Sequence, residues 1–472
     1  MTLLFPSDKM LLEIEVQNVR TGVIHMITYA QESFYCEMNK QACSYTMYFP
    51  MLFDHTFQLE RFKKAADYLF QNVPHLARKS VSGFWRARWV ELEGFDSEQL
   101  FSCYRFNDGM LESEEEFYRE ALKAFQNLED TRIDMETEAQ LKFKVFADEK
   151  QRWTLVVLCI HHSIADGRGS MQIIDVLSRA YESAGGQEKL PKLENYRKVP
   201  VHALKDGFFT ILKRTFRQEK EMQKHCKELF PTDLREEPRR ENFEVVRLTK
   251  GELEELKEQY RPWNYSTNDI LVYKLLKVSS RLGSGEPDEH AVLNIGIAID
   301  HRKDIRRQIL SITNYASMCP FYMNESDIQD LYKVKKQLQH FKQNAAGVSF
   351  SKEFLLLGMV PFAVQKKIFK GDVSNTIRTM SCRGIQTTNI GEITRHIGDF
   401  GSSLRHVEFI GPAGKFGMPI ISISSYQGEL AIYFRRTNDT TGICRKVREM
   451  FEEELETGKG TRDYVQELGS AI

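Results

Sequence analysis

Residues 155–167 read L155-V-V-L-C-I-H-H-S-I-A-D-G167. An unbroken apolar run of this length, rich in β-branched residues, reads as a strand covered on both faces. The run stops at His161-His162, and Asp166-Gly167 follow. Many strands end in polar residues, and most histidines are not catalytic. A second reading is that the strand carries a base to the rim of a cleft. Histidine suits that task because its unperturbed pKa lies near neutrality. An aspartate four residues on can turn back to brace the loop, and glycine permits a sharp bend.

Outward from this stretch, Leu141–Phe146 alternates strictly, and Asp148-Glu149-Lys150 supplies a turn, so 141–160 forms a hairpin. Ser170–Tyr181 is amphipathic, with Ser170 as the expected N-cap. Upstream, Tyr45–Phe53 is strand-like, 58–72 has helical spacing that Pro74 stops, 84–92 alternates, and 113–127 is helical. Gly185-Gly186 and two prolines mark 183–200 as a linker, and 201–229 reads as a helix of mixed charge. A second strand-and-helix series begins at Phe243. Its helices are expected over 249–260, 266–282, 327–343 and 441–455, and its strands at 243–248, 291–299, 384–388, 405–410, 418–425 and 429–435. The fold class is therefore α/β. Its expected division is an N-terminal lobe at 1–190, a linker and crossing helix at 191–242, and a C-terminal lobe at 243–472.

The 472 residues are 42% hydrophobic and 28% charged, with a net charge of −1. That composition is globular and gives no electrostatic pull toward nucleic acid or acidic membranes. The eight cysteines (36, 43, 103, 159, 226, 319, 382 and 444) form no C-x-x-C pair, as expected of reduced thiols in the cytoplasm. There is no leader pattern and no apolar stretch long enough to span a bilayer. A cytoplasmic monomer is the expectation.

H161-H-S-I-A-D-G167 resembles the H-H-x-x-x-D-G signature of the chloramphenicol acetyltransferase-like superfamily. That superfamily includes nonribosomal-peptide condensation domains, polyketide-associated acyltransferases, wax-ester synthases and alcohol acyltransferases. Four further stretches are similar to the family in the same order. They are Tyr48–Arg78, S266-T-N-D-I-L-V-Y273, I295-G-I-A-I-D-H-R302 and T388-N-I-G391. The first departs from the family's His-Pro-x-Leu-Arg pattern, since Pro74 precedes His75. The resemblance spans about residues 45–450 and does not place the first 44.

It implies two lobes in a V around a central tunnel, and an acyltransferase. The donor would be a thioester on coenzyme A or a carrier-protein pantetheine. The acceptor would be a small alcohol or amine, with no permanently bound cofactor. By resemblance, His162 is the general base, Gly167 lets backbone approach substrate, and His161 is structural. Asp166 would pair with Arg302 across the lobes, the lesser alternative being a strand-end arginine in solvent. Thr388, Asn389 and Gly391 are candidates for steadying an oxyanion or for bracing the strand, together with backbone N–H groups near His162 and Gly167.

Other readings are weaker. Histidine and aspartate could ligate zinc, but no third ligand stands at a recognisable spacing, so no metal is expected. Asp399-Phe400-Gly401 matches a kinase triplet without its companion motifs, and Ser422-x-Ser424-Ser425 is an alternating strand. The 201–229 helix carries Lys213, Arg214, Arg217, Lys220 and Lys224 beside an apolar face. It could touch a membrane or an acidic carrier protein, although such a charge run more often marks a solvated face. Condensation between carrier-bound partners and a catalytically silent binding module remain alternatives to acyl transfer.

Overall fold

The computed structural model describes residues 44–81, 88–106, 111–128, 131–150, 152–183, 226, 229, 241–282, 291–300, 302, 312–343, 361–364, 367, 384–413, 419–437, 439 and 442–457. The helix expected over 201–229 lies almost wholly outside them, as do residues 1–43 and His301.

The opening stretch forms β6 (Trp153–His161), the centre of a five-stranded sheet. It pairs antiparallel along its length with β1 (Thr46–Asp54), and with β5 (Leu141–Asp148) through the expected hairpin. β4 (Phe101–Phe106) lies parallel to β5 at one edge. Leu155 through His161 are fully buried because both faces of β6 are covered. On one face Val156, Leu158 and Ile160 share a core with Phe62 and Leu69 of α1 (Leu59–Asn72) and with Ile173, Ile174 and Leu177 of α3 (Gly167–Glu182). On the other face Leu155, Val157 and Cys159 share a core with Phe117, Ala121 and Phe125 of α2 (Glu114–Gln126).

The six-stranded sheet has the order β7 (Glu241–Leu248), β13 (Glu429–Thr437), β12 (Ile420–Tyr426), β10 (Gly384–Glu392), β8 (Val292–Asp300) and β9 (Ala316–Asn324). β10 is parallel to both its neighbours. This sheet shares one core with four helices: α4 (Lys250–Gln259), α5 (Thr267–Leu282), α6 (Leu331–Gln343) and α7 (Ile443–Thr457). A small hairpin, β2 (Arg78–Val81) with β3 (Arg88–Glu91), stands apart.

Five elements depart from the sequence reading: β2 and β4 were not foreseen, and three more change how the sheets and the site are organised. First, β11 (Leu404–Val407), expected in the C-terminal lobe, is the edge strand of the five-stranded sheet, paired with β1. Bridges from Tyr48 to Ile410 and from Ser44 to Ala413 continue that pairing. A boundary at residue 243 therefore does not separate the two sheets. Asp399-Phe400-Gly401 makes the turn into this crossover. Phe400, Gly401 and Ser402 all adopt left-handed backbone (φ 53°, 67° and 66°). The buried Phe400 ring packs among Phe53, Phe62 and Tyr181. Second, β9 was not foreseen. Pro320 interrupts its pattern and is tolerated because β9 is an edge strand. Third, α3 begins at Gly167 and is capped by Asp166, not Ser170; Asp166 Oδ1 accepts the Gly169 N–H at 2.8 Å. Among the described residues no helix is long and apolar enough to cross a membrane.

Candidate active site

β6 delivers His161 and the following turn delivers His162, so the two rings meet different surroundings. His161 is fully buried. Its Nδ1 accepts the Ser163 N–H at 3.2 Å and lies 2.9 Å from the Ser163 hydroxyl, which places its proton on Nε2. Burial, and then the neighbouring His162, push its pKa down to about 3, so the ring is neutral.

His162 is half-buried. Its backbone is fixed from two sides: its N–H donates to the Tyr45 carbonyl at 2.7 Å, and its carbonyl accepts from Asn314 Nδ2. Its Nδ1 lies 3.1 Å from the Ala165 carbonyl oxygen. A carbonyl only accepts, so Nδ1 carries the proton and Nε2 is the basic nitrogen. Burial lowers the ring's pKa, against the opposing charge of Asp166 and these hydrogen bonds. At neutral pH the imidazole is therefore unprotonated at Nε2.

The loop carrying His162 is held by Asp166, which is 2% exposed. Its Oδ1 caps α3, while its Oδ2 accepts from Arg302 Nη1 (2.8 Å) and from the backbone N–H groups of Tyr315 (2.8 Å) and Ala316 (3.1 Å). Burial alone would raise this carboxyl's pKa; the charge and hydrogen bond of Arg302, with the Gly169 and Tyr315 N–H groups, hold it below the ordinary value. Arg302 in turn donates from Nη2 to the Thr313 carbonyl at 2.8 Å and lies over the Tyr315 ring at 4.9 Å. One carboxylate thus fastens the start of α3 to the residues between β8 and β9 of the other sheet.

Glycine makes that junction possible at two points. A Cβ on Gly169 would lie 2.1 Å from the Ile312 carbonyl oxygen, and one on Gly167 would lie 2.5 Å from Ile390 Cγ2. Ile390 comes from β10, so Gly167 is where the second sheet's parallel strand closes on the histidine loop. Around Ile390 the strand is irregular. Asn389 Nδ2 donates to Asn268 Oδ1 at 3.1 Å, and Asn389 Oδ1 accepts the N–H of Gly391 at 2.9 Å. Gly391 has φ +76°, a left-handed conformation suited to glycine. One polar end of Asn389 thus ties β10 to the start of α5, and the other holds the irregular turn within β10 itself. Thr388 faces the other way, with its Cγ2 beside Gly411.

The sequence reading did not name Asn314, Tyr315, Ile312 or Ile390. No spacing connects residues 312–316 to residue 162; only the fold does. Among the described residues no group of three or more His, Cys, Asp or Glu side chains could hold a metal ion.

No known family profile and no curated protein sequence matches the chain. Solved structures do. The trichothecene 15-O-acetyltransferase TRI3 of Fusarium sporotrichioides superposes with a TM-score of 0.60 at 11% identity, covering 92% of this chain and 94% of that one. The cyclization-docking bidomain of the nonribosomal peptide synthetase EpoB of Sorangium cellulosum gives 0.63 at 12% identity, covering 97% and 93%. The condensation domain of the monacolin K polyketide synthase MokA gives 0.61 at 13%, covering 93% and 98%. At these identities the likeness is one of fold, and the chain has the α/β fold of condensation domains and of this acetyltransferase.

Proposed function

We propose that this chain, built on the condensation-domain fold, is an acyltransferase. It moves an acyl group from a thioester, on coenzyme A or on a carrier-protein pantetheine, to an alcohol or amine. The observation that carries the reading is the His162 ring. It is half-buried at a strand end, neutral, and oriented by the Ala165 carbonyl so that Nε2 is the base.

In this reading the acceptor O–H or N–H gives its proton to His162 Nε2 as its heteroatom bonds to the thioester carbonyl carbon. The carbonyl oxygen takes the negative charge of the tetrahedral intermediate. Thr388, on the face of β10 that turns toward the crossover, and the backbone N–H of Gly167 are candidates to steady that charge. The intermediate collapses by breaking the carbon–sulfur bond, and the departing thiolate recovers the proton from the imidazolium. General base catalysis contributes typically ~10²–10⁴-fold, and positioning two bound reactants adds more. Asp166 and Arg302 act at a distance, by keeping the loop and β9 in register. The V-shaped arrangement with a tunnel between the sheets belongs to this proposal.

The test is a screen of acyl-CoA donors of graded chain length with a panel of alcohols and amines, following free-thiol release. Acceptor-dependent release supports the reading, and its absence across the panel with both free and carrier-borne thioesters refutes it. Carrier-bound partners on both sides are the second reading. The condensation domains among the structural neighbours favour it, and the carrier-borne arm of the same screen separates it from the first.

A further inference from the structure

We infer that the cavity between the last turns of α4 and α7 is a binding site for a short aliphatic diamine. The inference does not rest on the thioester reading.

The cavity, of about 350 Å³, opens where the end of β7 meets the two helices. That volume is at the small end of the ~300–1,000 Å³ usual for ligand sites. Its floor is apolar. Val246, Leu256 and Leu455 belong to the buried core of the six-stranded sheet, and half-buried Leu248 packs against them. None of the lining residues belongs to the His162 loop, to β10 or to the Asp166–Arg302 pair.

The walls offer acceptors. α4 contributes Glu255 and, one turn on, Gln259; α7 contributes Glu452 and, one turn on, Glu456. Residues four apart share a helix face, so each helix brings a pair of acceptors to the cavity. Each pair reaches the final turn of its helix, where unpaired carbonyls carry partial negative charge and favour a cation. Gln259 Oε1 is buried and has no hydrogen-bond partner, although folded proteins nearly always satisfy such a group. Glu255 and Glu456 are exposed and pair with no cation among the described residues.

The cations close by are engaged elsewhere. Arg247, which lines the cavity, is held by Glu408 through bonds of 2.6 and 3.0 Å. Arg448 pairs with Glu452 at 2.5 Å, and Lys257 pairs with Glu254 at 2.8 Å. What the cavity leaves open is one carboxylate from each helix and an amide oxygen, set around an apolar floor.

A diamine matches this arrangement. Each of its ends is an ammonium at neutral pH with three N–H donors, and its methylenes can lie along valine and leucine. A monoamine answers only one of the two carboxylates. A metal ion gains nothing from the apolar floor, and no group of three or more His, Cys, Asp or Glu among the described residues could hold one.

The experiment is calorimetric binding of 1,4-diaminobutane, n-butylamine and 1,4-butanediol to the full chain at low and high salt. The diamine is expected to bind at least about fivefold more tightly than the monoamine, with the advantage shrinking as salt rises, and the diol not to bind measurably. Glu255→Gln and Glu456→Gln are each expected to bring the diamine to within about twofold of the monoamine. Both residues are exposed, so these variants change charge without disturbing the core. Glu254→Gln, on the same helix but outside the cavity, is expected to leave diamine affinity within about twofold. Equal binding of diamine and monoamine by the wild type overturns the inference, as does undiminished discrimination in both cavity variants. An equal loss in Glu254→Gln, or displacement of the diamine by equimolar magnesium, reduces the effect to general charge attraction and also overturns it. Tighter binding of a pentalysine peptide than of the diamine assigns the cavity to a basic protein segment and overturns the choice of a small molecule. None of these readouts depends on turnover, so a failure of the acyltransferase reading leaves the site to be judged separately.

Discussion

Arg302→Ala removes the cation from a carboxylate that is 2% exposed, and its consequences can be worked through from the contacts. Asp166 keeps three backbone donors, from Gly169, Tyr315 and Ala316, and loses the 2.8 Å bond from Arg302 Nη1. Breaking a buried ion pair by removing one partner costs about 3–5 kcal/mol. At about 2.1 cal/mol/K per residue, a chain of 472 residues unfolding as one unit loses about 1 °C of Tm per kcal/mol. A fall of about 3–5 °C at pH 7 is therefore expected by calorimetry. Activity should fall with it, because the same carboxylate holds the His162 loop. The pH dependence adds a second signature. In the native protein the folded pKa of Asp166 lies below its ordinary value of 3.8, so its contribution is present above that value and is lost as pH falls through the folded pKa. Without the cation, burial raises the carboxyl's pKa, and a neutral carboxyl is cheaper to bury. The Tm gap between wild type and variant should narrow as the pH is taken from 7 toward 4.5. An Arg302→Ala protein with wild-type Tm and wild-type kcat/KM refutes the reasoning, and so does a gap that stays constant on acidification.

Gly167→Ala brings a methyl to 2.5 Å from Ile390 Cγ2 and is expected to cost about 1–3 kcal/mol in denaturant unfolding. Combined with Ile390→Ala the costs should be less than additive, and strict additivity contradicts the contact. Buried Glu408 accepts from Tyr118 (2.5 Å), Arg247 (2.6 and 3.0 Å) and Tyr433, with His406 Nε2 at 3.1 Å. Burial would raise its pKa, but Arg247 and His406 hold it well below the ordinary value. Glu408→Gln leaves Arg247 without its carboxylate and should lower the denaturant midpoint by the equivalent of about 3 kcal/mol, whereas an unchanged midpoint contradicts the cluster's bracing role. Finally, the base acts when neutral and its pKa is lowered from 6.5, so kcat/KM should rise with pH through a midpoint below 6.5. An acid limb at or above pH 7 contradicts the assignment.

Much of this was legible in local chemistry. Continuous apolar character gave β6, strict alternation gave β5, and Asp148-Glu149-Lys150 gave their turn, because each is decided within a few residues. The helix expected from residue 249 is α4, and it opens with a capping box in which Thr249 and Glu252 make both hydrogen bonds. What escaped was set by contacts between distant segments. The pairing of Leu404–Val407 with β1 joins residues more than 350 apart, and its apolar character fits either sheet equally well. β9 was hidden by Pro320, which only an edge position excuses. Asp166 reads as a loop brace, but its role as the cap of α3 depends on a helix that starts three residues before the amphipathic pattern declares itself. Asn314 sits in an unremarkable polar stretch and reaches the His162 carbonyl only because Asp166 fixes the backbone of Tyr315 and Ala316 beside it.

The account's central claim is that the imidazole of residue 162 takes the acceptor's proton. Its most direct test is the rate of thiol release by His162→Ala, with a donor–acceptor pair that the wild type turns over and with melting temperatures measured alongside. The predicted result is a loss of about 10²-fold or more in kcat with Tm essentially kept, since the ring is half-buried and its backbone is fixed independently by Tyr45 and Asn314. Turnover at the wild-type rate by a folded His162→Ala protein would contradict it.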